Sequence, residues 1–160
     1  MKKLHSKQKG NIAESAVILE LSKMGYGVFR EIGDLSKVDL IAEKDNKILT
    51  FQVKGVTPKK GAIHLPFRKC GPNYRFRYEN GMFDYFALVD LSTLKVAFVH
   101  SSVLQINHTG ISFRVSKSVN NQSGYIFDDF CTLDGSSETI RATRKWDDIV
   151  QTTTERANES

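Results

Sequence analysis

An aspartate, a glutamine and a lysine come to one face if residues 38–54, VDLIAEKDNKILTFQVK, fold as their residue types direct. Asp39 to Glu43 is a short apolar run, and Ile48 to Lys54 is β-rich and alternating, so each reads as a strand. Asp45 and Asn46 between them favour a turn, and a two-residue loop there pairs Lys44 with Lys47 in an antiparallel hairpin. That register sets Asp39 opposite Gln52, with Cβ atoms about 5 Å apart, and leaves Lys54 on the same face at a diagonal of roughly 7–8 Å. Leu49, Phe51 and Val53 take the opposite face, as core residues. A carboxylate and an amide oxygen are hard ligands of the kind Mg²⁺ takes. The alternative for these polar residues is the solvated face of an edge hairpin, where charged side chains simply meet water.

The elements that must position this hairpin precede it. Asn11 to Met24 has helical period, with Ala13, Val17, Leu21 and Met24 in one stripe, and the helix has a second possible start near Ser6. Gly25 suits the position just past its end. Glu14 is expected in the first turn, where two roles stand open: a capping box with Asn11, or a carboxylate that reaches over the hairpin and shares its ion. Tyr26 to Ile32 reads as a strand and Gly33 to Ser36 as the turn into the hairpin.

The pattern D-(x)12-Q-x-K, with Val38 before the acid and Gln52 where a second acid is usual, resembles the core of the PD-(D/E)XK nucleases. The stretch from Lys9 through Glu43 to the ILTFQVK strand resembles the helix–strand–strand–strand opening of that superfamily. Archaeal Holliday-junction resolvases share the opening but carry Glu where Gln52 stands. The group I intron homing endonucleases of the cyanobacterial type are more similar: they use a Q-x-K ending and match in chain length and in acid spacing, 25 from Glu14 to Asp39 and 13 from Asp39 to Gln52.

The resemblance implies an α/β fold with a restriction-endonuclease-like core, αβββαβ, its central mixed sheet flanked by helices, and one nuclease domain over residues 1–160. It implies a metal-dependent, site-specific double-stranded DNA endonuclease that hydrolyses phosphodiester bonds. Asp39 would be the direct ligand of Mg²⁺ or Mn²⁺, Gln52 would offer its side-chain oxygen, and the Val53 carbonyl would complete the set. Because Gln52 brings no charge, Glu14 would restore the second carboxylate, while Lys54 would orient the attacking water or stabilise the phosphorane as a point charge. No small-molecule cofactor and no membrane partner are expected. A chain this small is expected to meet a long DNA site as a dimer or a dimer of dimers. Two other readings stay open: a junction resolvase with the same centre, and a non-catalytic DNA-binding protein on a decayed nuclease fold, which the Gln52 substitution favours.

Charge distribution agrees with a polyanionic partner. The net charge is +5, but residues 46–78 hold eight Lys and Arg and no acid, leaving −3 for the rest of the chain. Gly55 to Tyr78 also holds all three prolines and is expected to be a DNA-contacting insertion with strands at Ala62–Phe67 and Tyr74–Tyr78. Basic residues there interleave with Phe67, Tyr74, Phe76 and Tyr78, which suits a β-ribbon on phosphates and in a groove. The candidate contacts are Lys59, Lys60, Arg68, Lys69, Arg75 and Arg77; a solvated basic loop is the alternative. Residues 1–10, with Lys2, Lys3, Lys7 and Lys9, form either a DNA-contacting arm or an ordinary solvated terminus.

Further along, Met82–Val89 and Leu94–Val99 read as strands around a turn, Ser101–Gln105 as a short helix, and Ile111–Val115 and Tyr125–Phe130 as late strands. Asp84 and Asp90 are expected in turn or edge roles, and His64 and His100 have no partner at ligand spacing. Ser116–Gly124 reads as a loop, Ser136–Val150 as a helix and 151–160 as a frayed tail. No apolar run approaches a membrane span, no h-region follows the basic N-terminus, and Cys70 and Cys131 have no metal-site spacing, so an intracellular location with reduced thiols is expected.

Overall fold

A computed structural model describes residues 3–33, 35–106, 108–116 and 124–133. Helix α1 (Ser6–Lys23) buries Ala13, Val17 and Leu21 of the expected stripe and Ala16 beside them, while Met24, the last of the stripe, is its C-cap. It closes as a Schellman turn: the Gly25 amide donates to Ser22 O, the Tyr26 amide donates to Leu21 O, and Gly25 takes φ +86°. Its start is the earlier of the two expected. Ser6, Lys7, Gln8 and Lys9 suit a helix even without an apolar face, and Gln8 Oε1 accepts from the His5 amide at 2.9 Å. Glu14 therefore lies in the third turn, not the first, and the Asn11–Glu14 capping box does not form. The expected arm of residues 1–10 is correspondingly shortened, since Lys7 and Lys9 are helical.

Strands β1 (Gly27–Arg30), β2 (Leu40–Lys44) and β3 (Lys47–Val56) form an antiparallel meander. The chain then builds β4 (Ala62–Pro66), β5 (Arg68–Gly71) and β6 (Tyr74–Arg77) before β7 (Tyr85–Asp90) pairs parallel to β3. With β8 (Val96–His100) this makes a mixed five-stranded sheet in the order β1-β2-β3-β7-β8. One face packs on α1 through Ala13, Val17, Leu21, Leu40, Ala42 and Phe51. The other face, through Phe86, Leu88 and Val99, packs on a smaller sheet in the order β10-β9-β4, with β9 at Gly110–Arg114 and β10 at Tyr125–Ile126.

The expected αβββαβ order holds in its first four elements and in its mixed sheet. The flank differs. Where a second helix is expected between β3 and the parallel strand, the described residues form β4 to β6 instead. Pro58, Pro66 and Pro72 interrupt helical hydrogen bonding there, and Ile63, Leu65 and Phe67 alternate as strand residues do. This stretch is also less of a surface insertion than its charge suggests: Ile63, Leu65, Phe67 and Tyr78 are at most 1% exposed and belong to the core. A second correction falls at Tyr125–Phe130. Only Tyr125 and Ile126 are strand; Phe127–Phe130 is a 3₁₀ turn, whose spacing buries Phe127 and Phe130 together.

Asp84 fixes the β3–β7 junction, its Oδ2 accepting from the Thr50 amide at 2.8 Å and hydroxyl at 3.0 Å. Asp90 closes a turn on the Ser92 amide and hydroxyl. His100 caps the 3₁₀ turn Ser101–Gln105, and His64 meets Ser112. The expected helix at Ser136–Val150, the tail at 151–160 and residues 117–123 of the expected loop lie outside the described residues. Among those described, no helix is long and apolar enough to cross a membrane.

Candidate active site

Asp45 and Asn46 take φ 52° and 62°, the left-handed pair that a two-residue hairpin turn requires. The register then runs from Lys44↔Lys47 to Leu40↔Phe51, and the Asp39 amide donates to Phe51 O at 2.9 Å. Asp39 stands where the pairing arithmetic puts it, opposite Gln52. Its Oδ2 accepts from the Val53 amide at 2.7 Å and from Gln52 Nε2. The strand that carries the amide thus holds the carboxylate in place.

Gln52 is 7% exposed, and its Nε2 is committed to Asp39, with Val53 O at 3.4 Å as a weaker second acceptor. Turning the amide over would set two oxygens against each other, so the contact defines which end is which. The Gln52 Oε1 is left with no donor among the described residues. An amide oxygen open beside a carboxylate is a hard ligand of the kind Mg²⁺ takes.

Glu14 reaches the same place from the helix. Helix α1 lies against β3 at Gly55, where a Cβ would stand 2.8 Å from Ala13 Cβ. The close approach brings Glu14 and Asp39 to one cleft of about 70 Å³, which Arg30, Glu31 and Gly33 also line. Glu14 Oε2 pairs with Arg30 Nε at 2.9 Å. No group of three His, Cys, Asp or Glu side chains suited to a metal occurs among the described residues. Of the three carboxylates on the cleft, Glu31 accepts from the Ser36 amide at 3.0 Å; Glu14 and Asp39 are the other two, with the Gln52 amide oxygen and the Val53 carbonyl on the strand that holds Asp39. That all-oxygen set fits an ion such as Mg²⁺, which takes one or two carboxylates and keeps waters and substrate phosphates as its other ligands. It does not fit the nitrogen and sulfur preference of zinc.

Lys54 follows Gln52 on the same face of β3. Its Nζ donates to Tyr78 Oη at 2.6 Å and lies 4.7 Å from that ring's centroid. Burial lowers the ammonium to about 8; Lys69 and Lys37 push the same way and Asp39 opposes them. The Tyr78 hydroxyl is raised to about 12, by burial first and by the Asp39 and Tyr74 charges after it. These interactions place Lys37, Lys54 and Lys69 within one positive field beside the Asp39 carboxylate.

The expected DNA contacts divide. Lys59, Lys60, Arg68, Lys69 and Arg75 are exposed. Arg68, Lys69 and Arg75 stand on the two-stranded ribbon β5–β6, whose register pairs Arg68 with Arg77, Lys69 with Phe76 and Cys70 with Arg75. Arg77 has other work: its guanidinium donates to the carbonyls of His108 at 3.0 Å, Leu104 at 3.2 Å and Ile106 at 3.5 Å. Three residues join the site without any sequence signal for a role there: Arg30, Lys37 and Tyr78. Tyr78 stands out only as one aromatic among basic residues, and its contact with Lys54 spans 24 positions. Arg30 meets Glu14 only through the packing of α1 against β1.

A family model described as PD-(D/E)XK endonuclease matches residues 4–130. No curated protein sequence matches the chain. Among solved structures, the chain is similar to the bacterial homing endonuclease I-Ssp6803I, at 21% identity and a TM-score of 0.66, over 96% of this chain and 99% of that one.

Proposed function

The chain belongs to the PD-(D/E)XK endonuclease family, and from that premise we propose that it is a metal-dependent, site-specific double-strand DNA endonuclease of the intron-homing type. Nucleases of this family generally use divalent metal ions. The observation that carries the reading is the Asp39 carboxylate, held by the Val53 amide and the Gln52 side chain, with Glu14 on the same cleft. A chain that only bound DNA would need neither half-buried carboxylate.

Asp39 and Glu14 would hold the ion, with Gln52 Oε1 and the Val53 carbonyl beside them. When bound, such an ion polarises a phosphodiester and lowers the pKa of a coordinated water. The chain's own part is positional. The Gln52 amide and the Val53 N–H orient Asp39, and Arg30 steadies Glu14. Lys54 presents a point charge toward the phosphate side of the cleft, where charge builds as phosphorus gains a fifth oxygen. The ribbon β5–β6 supplies Arg68, Lys69 and Arg75 as phosphate contacts. One small copy does not span a long two-stranded site, so a dimer or a dimer of dimers completes the proposal.

The test is incubation of the purified protein with Mg²⁺ or Mn²⁺ and a plasmid library carrying random inserts, beside a synthetic four-way junction. Double-strand breaks at a recurring site, lost on chelation, are expected. Cleavage of the junction alone would assign a structure-specific resolvase instead, and binding without any break would leave a DNA-binding protein on a nuclease fold.

A further inference from the structure

A lysine that acts as a point charge must be held still. Its ammonium rides on a flexible four-carbon stem, and misplacement of a reacting group by about 1 Å can cost on the order of 10²-fold in rate. The β3 backbone does not by itself hold that stem. Lys37 and Lys69 add like charge in its surroundings and offer it no hydrogen-bond acceptor. The group that meets it is the Tyr78 hydroxyl, at 2.6 Å.

Tyr78 is built as an anchor. It is 1% exposed, and its amide donates to Phe67 O at 2.9 Å. Its ring meets Phe76, Phe83 and Phe86 edge to face, with centroids 5.3, 5.7 and 5.6 Å away. A buried tyrosine needs a partner for its hydroxyl, and here the partner is Lys54. Phe76, which packs on Tyr78, in turn carries Lys37 Nζ 4.2 Å above its ring. The aromatic cluster therefore meets one cation by a hydrogen bond and a second by its π face.

We propose that Tyr78 is a positioning residue for Lys54: it holds the ammonium beside the Asp39 cleft so that the charge is in place when the phosphodiester arrives. This rests on the nuclease reading for its catalytic consequence, but not for its structural one. The experiment is Tyr78→Phe, which keeps the ring and its packing. Four quantities are read on one preparation: the melting temperature, plasmid affinity in Ca²⁺, the single-turnover nicking rate in Mg²⁺, and the ¹³Cε relaxation of Lys54 in the metal-free protein.

Wild type is expected to show a Lys54 Cε more ordered than that of exposed Lys59. In the variant that order falls to the Lys59 level and nicking slows roughly 10- to 10²-fold, while melting and plasmid affinity hold. An unchanged nicking rate overturns the proposal, and so does a slower rate with Lys54 still ordered. Should Tyr78→Phe not fold, wild-type Lys54 relaxing like Lys59 overturns it without any variant. If wild type nicks nothing, the nuclease reading fails separately, and the relaxation data alone decide whether Tyr78 holds Lys54.

Discussion

Asp39 commits an oxygen to its own hairpin, and that tells how the centre is assembled. The carboxylate is oriented by Val53 and Gln52 on the neighbouring strand before anything binds. This much was legible in the sequence, because a two-residue turn makes cross-strand pairing a matter of counting. Arg30 and Tyr78 were not, since each reaches its partner through packing between elements distant along the chain. Glu14 sits mid-helix, so Glu14→Gln removes no cap, and its ion pair is with Arg30, whose side chain is 56% exposed. Such a pair contributes little, about 0–1 kcal/mol. The melting temperature should hardly move, whereas cleavage in Mg²⁺ should collapse with one of two carboxylates gone. A stable variant with full activity would remove Glu14 from the centre. Lys54 gives a prediction about pH. Its folded value near 8 lies below the ordinary 10.5, so in that window the unfolded chain binds more protons than the folded one. Stability of the metal-free protein, measured against Lys54→Met, should therefore rise from pH 8 toward 10.5. Denaturant titrations at both pH values check the sign, and a falling difference would contradict the buried ammonium.

At the scale of elements, the α1–β3 contact decides whether the helix glutamate reaches the hairpin. Gly55 has ordinary backbone angles; what it lacks is the Cβ that would stand 2.8 Å from Ala13 and 3.1 Å from Leu91 Cδ2. Gly55→Val should cost about 1–3 kcal/mol as an overpacked contact and lift Glu14 away from Asp39. Urea unfolding should show the first effect, and slowed nicking with retained plasmid binding the second. An equally stable, equally active variant would mean that the helix need not lie so close. The helix stripe, its glycine stop and the hairpin were readable from period and turn chemistry. The choice between the two starts of α1 was not, because Ser6 to Gly10 have no apolar face to announce a helix. Strands at Ala62–Pro66 and Tyr74–Arg77 were readable from the sequence; that they stand where the family order has a second helix, and that Ile63, Leu65 and Phe67 go into the core, was readable only in retrospect. The same holds for Phe127–Phe130, where two buried rings three apart mark a 3₁₀ turn rather than a strand.

For the whole molecule, the sheet divides the labour: α1 packs on one face, behind the strands that carry Asp39, Gln52 and Lys54, and the opposite face carries the smaller sheet. Replacing Lys59, Lys60, Arg68 and Lys69 together should weaken plasmid binding and flatten its salt dependence, by about 0.9 in the slope of log K against log salt for each phosphate no longer neutralised. An unchanged slope would mean that these side chains face away from DNA. Arg77, tied to three carbonyls, should instead lower stability when replaced by Ala, with little effect on that slope. The charge asymmetry was visible in the sequence; which cations are free for a partner and which are structural was not, since that follows from the β5–β6 register and the loop it abuts. The nuclease centre stands or falls most directly on Asp39. Wild type and Asp39→Asn should be compared side by side for plasmid affinity in Ca²⁺ and for cleavage in Mg²⁺. Binding should be largely kept and cleavage abolished; an Asp39→Asn variant that cuts at near the wild-type rate would contradict a metal centre built on this carboxylate.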